Sequence, residues 1–173
     1  MIRVIVAILL GLLTGLWETA VAPFLSQPWG SFHPIIPISV LLLVASGRTR
    51  ALAFALPAAA VLDAYMGFTF DLAFVRYAFI MFALELVMRQ FLTNRSVYAS
   101  LLLAILARLL DWATAGVTGW LGVLINATAY GWHLPVGALS VLAWDLVITA
   151  LGFLVIARFT SRFRIHMGTT IGI

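Results

Sequence analysis

Four charged residues of this 173-residue chain stand deep inside apolar stretches, where charge is costly and usually has a purpose: Asp63, Arg108, Asp111 and Asp145. Buried carboxylates suit either of two kinds of work. They handle ions, substrates or a partner's helix, or they pair with other buried groups and fix the register of neighbouring helices. Arg108 and Asp111 are three apart, so on a helix they share a face and partly neutralise each other. Asp63 and Asp145 have no such local partner, so each is expected to face the interior and bond to another helix or take up a proton. Glu85 and Arg89, four apart, read as a stabilising pair. Asp71 reads as a helix cap and Arg76 as an interfacial anchor, while Glu18, beside Trp17, either snorkels or pairs with Arg76.

Other chemistries lack their residues. His33, His133 and His166 are scattered and form no metal-ligand spacing such as HExxH. No serine stands in a nucleophile elbow and no glycine loop is built to cradle phosphate. Zero cysteines remove thiolate chemistry and Cys-ligated metals. No catalytic residue, metal or cofactor is expected, and the chain reads as a non-enzyme.

The elements that must position these charges follow from composition. With 64% apolar and 9% charged residues and a mean hydropathy of +1.15, the chain has too little polar surface to cover a soluble globule. About 20 apolar residues cross a hydrocarbon core ~30 Å thick, and that ruler divides the chain into six spans at about 2–24, 35–47, 50–66, 72–88, 97–120 and 136–157. Spans two and three are short, the fifth is interrupted by Gly116 and Gly119, and Thr69 and Asp71 are caps for the fourth. Six spans use nearly the whole length, so residues 1–173 form a single transmembrane domain.

Eight of the ten arginines fall at four places: Arg3; Arg48 and Arg50; Arg89 and Arg95; Arg158, Arg162 and Arg164. The intervening turns at 26–34, 67–72 and 120–135 contain none. Cytoplasmic loops carry the Lys/Arg excess, so both termini are expected in the cytoplasm. The net charge of +4 is then topological: it meets anionic lipid headgroups, and no nucleic-acid partner is expected. Ala20-Val21-Ala22 imitates a signal-peptide cleavage site, but Pro23 follows it and Glu18 lies within the run, so an uncleaved first helix is expected. At 1.5 Å per residue, Asp63, Arg108, Asp111 and Asp145 all lie ~13–21 Å from a span end, near mid-membrane. Ala7, Gly11 and Gly15 form a small-xxx-small stripe along the first span that serves either internal packing or docking of a partner's helix, including one from a second copy of the chain.

The junction of spans three and four, Val61-Leu62-Asp63-Ala64-Tyr65-Met66-Gly67-Phe68-Thr69, resembles the LDxxxGxT-type motif of the MreD family of rod-shape-determining membrane proteins. His33-Pro34 before the second span, the acid in Leu109-Leu110-Asp111, the length, the inward termini and the basic tail are similar to that family too. Asp71 and Leu72 stand where a second glycine commonly follows the motif, and Asp145 lies outside the family pattern. The resemblance implies a six-helix bundle similar to the S components of energy-coupling-factor transporters. It further implies a non-enzymatic subunit of the bacterial elongasome in the inner membrane, one that binds the bitopic protein MreC and supports peptidoglycan synthesis by RodA and its class B transpeptidase. Asp63, Gly67 and Thr69 are then motif residues shaping a partner-binding surface. The alternative is a substrate-binding S component itself, whose small-residue stripe on the first helix docks a coupling subunit; Trp120, Asn126, Tyr130, Trp132 and His133 are its candidate ligand cage.

Overall fold

The computed structural model describes residues 1–26, 29–66, 72–91, 96–126 and 137–168, and every regular element within them is helical. Helix α1 (Ile2–Leu16) continues through a π-helical turn (Trp17–Val21) and a 3-10 turn (Ala22–Phe24), and a second 3-10 turn covers Trp29–Ser31. Then follow α2 (Ile35–Ser46), α3 (Arg48–Met66), α4 (Ala73–Phe91), α5 (Val97–Asn126) and α6 (Ala138–Gly168).

Among the described residues, three segments are long and apolar enough to cross a membrane: Ile2–Phe24, Val97–Leu121 and Ala138–Arg158. The other helices of the expected six have physical reasons to miss that measure. Helix α2 has 12 residues, while α3 carries Arg48, Arg50 and Asp63, and α4 carries Arg76, Glu85 and Arg89, in 19 residues each. The three apolar segments end within one residue of the expected spans at 24, 120 and 157, but two of the helices run beyond them. Helix α5 runs unbroken through Gly116 and Gly119 to Asn126, because a glycine costs a helix interior only ~1 kcal/mol. Helix α6 reaches Gly168, well past residue 157. Helix α3 starts at Arg48, directly after Gly47, whose φ of 86° makes the turn from α2 a single residue.

Helix α2 is the centre of the bundle. It packs against α3, α4, α5 and α6, and Ile35, Ile36, Pro37, Ser39, Val40, Leu41, Leu43 and Val44 are all buried. A helix apolar all round is one buried all round. Its ~18 Å length falls short of a ~30 Å hydrocarbon core, and the surrounding helices supply the apolar environment instead. Phe54, Ala55 and Ala58 of α3, Ile80, Met81 and Leu84 of α4 and Leu103 and Ala107 of α5 complete the core.

Helix α1 lies at the edge and packs chiefly on α3. Ala7, Gly11 and Gly15 are its buried residues, and Ile5, Leu9, Leu13 and Leu16 stay exposed. A β-carbon at Gly11 would run into the carbonyl oxygen of Phe54; at Gly15 it would stand 2.8 Å from the Ala58 carbonyl oxygen and 2.9 Å from Val61 Cβ. The stripe therefore works as internal packing. Its glycines let two backbones touch, and α3 occupies the face that an outside helix would need.

Candidate functional site

The charges meant for chemistry join consecutive helices. At the start of α4 the first backbone N–H groups have no partner within the helix, and Asp63 of α3 supplies one: the Ala73 amide donates to Oδ1 at 2.6 Å and the Phe74 amide to Oδ2 at 2.9 Å. This is a cap delivered by a different helix, and its negative charge also suits the positive end of the α4 dipole. The capping expected of Thr69 and Asp71 concerns residues outside those described, as does the motif residue Gly67. Leu at position 63 would orphan two amides in an apolar setting. Asp63→Leu is expected to cost about 2–4 kcal/mol of stability, at ~1–2 kcal/mol per amide; a thermal melt in detergent that matched the parent protein would remove this role.

The same device closes α1 onto α2. Glu18, in the π-helical turn, accepts a hydrogen bond from the Ile35 amide on Oε1 at 3.0 Å, and its Oε2 lies 3.6 Å from His33 Nδ1. Glu18 is thus neither a snorkelling residue nor a partner of Arg76. The wider π turn belongs to the stretch where α1 stops packing as a regular helix and turns its carboxylate inward.

Between α5 and α6 the tie is ionic. Arg108 donates from Nε to Asp145 Oδ2 at 2.6 Å and from its Nη2 to Oδ1 at 3.0 Å, a two-pronged pair with Asp145 fully buried. Arg108 Nη1 donates to Asp111 Oδ2 at 3.2 Å, as the three-residue spacing requires. The other oxygen of Asp111 pairs with Arg76 Nε of α4 at 3.1 Å. Arg76 is therefore a half-buried link between α4 and α5 rather than a lone interfacial anchor. Two guanidinium groups and two carboxylates balance, so the quartet carries no net charge into the interior.

At the other end of α4, Glu85 holds Arg89 through Oε1 at 2.6 Å and Arg48 of α3 through Oε2 at 3.1 Å. Aromatic rings complete the opposite end. Trp17 stands edge-on to Phe32 at 6.0 Å, Phe32 edge-on to Trp144 at 5.5 Å, and Trp29 packs on Trp144 at 5.3 Å, which ties α1 and its following turns to α6.

Each of Glu18, Asp63, Glu85, Asp111 and Asp145 is held by a donor or cation of the chain itself, on both oxygens for all but Glu18, whose Oε2 only stands near His33. These contacts commit each carboxylate to holding neighbouring parts of the chain together, and among the described residues no cluster of three His, Cys, Asp or Glu side chains forms a metal site. The arrangement holds helices together. Of the candidates, Asp63, Arg108, Asp111 and Asp145 all join this system, although Asp63 caps α4 apart from the quartet, and Ala7, Gly11 and Gly15 lie in the α1–α3 seam. Sequence reasoning missed Glu18 and Arg76 as interior ties: Glu18's partner is a backbone amide, invisible in a sequence, and Arg76 looked like an end residue because α4 begins only three residues earlier. Tyr130, Trp132 and His133 lie outside the described residues, and the side chain of Asn126 does too. Comparison with protein-family models, with curated proteins and with solved structures gives no match to this chain.

Proposed function

We propose that this chain is a six-span scaffold subunit of the MreD type in the bacterial cytoplasmic membrane, with both termini in the cytoplasm. The reading assigns it a bitopic MreC-like partner and, through that partner, support of a RodA-type glycosyltransferase and its class B transpeptidase in building a rod-shaped wall. The observation that carries the proposal is that all five described carboxylates are held by internal partners. Charges placed deep in an apolar chain are expensive, and here each is used to fix one helix against another, as a rigid docking platform requires. The acid of the MreD-like motif, Asp63, is one of these ties, which gives that resemblance a physical basis. The S-component alternative is weakened because α3 already covers Ala7, Gly11 and Gly15.

The test is purification of the tagged protein from native membranes in mild detergent, followed by mass spectrometry of the proteins that accompany it. Recovery of a bitopic MreC-like protein with a RodA-type synthase is the expected result. Recovery of paired ABC ATPases with a coupling subunit would replace the proposal with a vitamin-uptake role.

A further inference from the structure

The α1–α3 seam ends in two arginines, Arg3 and Arg50, that form no salt bridge among the described residues. Gly11 touches Phe54 and Gly15 touches Ala58, so the two helices run parallel with an offset of 43 residues in each case. Carried inward along the same stripe at four-residue steps, that register sets Ala7 against Arg50 and Arg3 against Ser46, immediately before Gly47. Arg3 extends the α1 stripe of Ala7, Gly11 and Gly15, and Arg50 extends the α3 stripe of Phe54 and Ala58. Two like charges thus converge within about one helical turn at the end of a tightly packed seam.

No described acid is left for them. Glu18, Asp63, Asp111 and Asp145 are engaged in the other half of the bundle, and Glu85 is divided between Arg48 and Arg89. The sixth acid, Asp71, lies outside the described residues. An anion from outside would complete the pair. Directly beside the pair runs the exposed apolar flank of α1, with Ile2, Ile5, Val6 and Leu9 each about half or more exposed, which is a surface for acyl chains and not for a polar partner.

We propose that Arg3 and Arg50 hold the phosphate of an anionic glycerophospholipid at the cytoplasmic end of the α1–α3 seam. The inference rests on the membrane-spanning, inward-terminus part of the proposed function and is independent of the partner. The phosphodiester supplies the missing negative charge, and its acyl chains lie along α1. A zwitterionic lipid carries its own ammonium and offers less to two guanidinium groups.

The full-length protein, stripped of endogenous lipid in detergent, is offered equal amounts of phosphatidylglycerol and phosphatidylethanolamine with identical acyl chains, and retained lipid is counted by native mass spectrometry. The wild type is expected to retain phosphatidylglycerol preferentially. Arg50→Gln should weaken that retention about fivefold, the share of one headgroup-adjacent arginine, and Arg50→Lys should largely restore it. Arg89→Gln, whose guanidinium is committed to Glu85, should leave the preference unchanged. Arg3→Gln provides a second seam variant should Arg50→Gln fail to elute as a monodisperse species. Equal retention of the two lipids, or a preference untouched by both seam variants, overturns the proposal. Complete displacement of the lipid by millimolar inorganic phosphate does so as well, by assigning the site to the free anion. Because no partner protein enters this assay, its failure would leave the pull-down result standing, and the reverse also holds.

Discussion

Arg108→Leu is expected to lower the stability of the purified protein by about 3–5 kcal/mol, the largest effect of any single change. The substitution removes both hydrogen bonds to Asp145, which is fully buried, and one to Asp111. What remains is a carboxylate with no cation in an apolar setting, and the stranded charge accounts for most of the cost. Asp111 suffers less because Arg76 still faces its other oxygen at 3.1 Å. The double variant Arg108→Leu, Asp145→Leu separates these effects. It removes one charge of each sign and leaves Arg76 and Asp111 as a neutral pair, so it should be more stable than Arg108→Leu alone. Thermal denaturation followed by tryptophan fluorescence gives both values, and a double variant as unstable as the single one would mean that lost packing, not the stranded carboxylate, sets the cost.

Gly11→Leu is expected to release α1 from α3. Even a single added carbon at Gly11 meets the Phe54 carbonyl oxygen, which belongs to backbone and cannot swing aside. Overpacking of a core ordinarily costs ~1–3 kcal/mol and more where backbone has to move; here the helices must separate along their whole seam, and Ala7 and Gly15 lose their contacts with it. Leu13→Ala, on the exposed flank of the same helix, is the control and should shift the melting temperature little. The expected signature of Gly11→Leu is a lower melting temperature together with cleavage of α1 by protease under conditions that leave Leu13→Ala intact.

These two variants also mark what could be read from the residue order. The Arg108–Asp111 and Glu85–Arg89 ties lie three and four residues apart on one helix, and helical spacing reveals them directly. The seam was visible as a stripe of small residues, although a stripe does not say what it touches. Asp145 could be assigned to the interior because a lone carboxylate in an apolar run has few other places to go, yet its partner sits 37 residues away and emerges only when α5 and α6 are set side by side. Glu18 and Asp63 were harder still. Both bind backbone amides, which every residue but proline carries, so no side chain marks the other end of the bond. The expected ends of the first, fifth and sixth spans lie within one residue of those of the apolar segments Ile2–Phe24, Val97–Leu121 and Ala138–Arg158; what the residue order hid is that α5 continues through two glycines, since its neighbours and its own hydrogen bonds outweigh local propensity.

The central position of α2 bears on how the protein is made. A segment of 12 residues is too short to reside stably across a bilayer by itself, so its place cannot be settled by the insertion machinery as that of α1, α5 or α6 can. Under the proposed six-span arrangement, being joined to α3 by a single glycine would have it enter as one arm of a hairpin and find its depth only as the later helices close around it. Biogenesis therefore has an order built into the chain: the innermost helix of the finished bundle is among the first synthesised and the last to be secured.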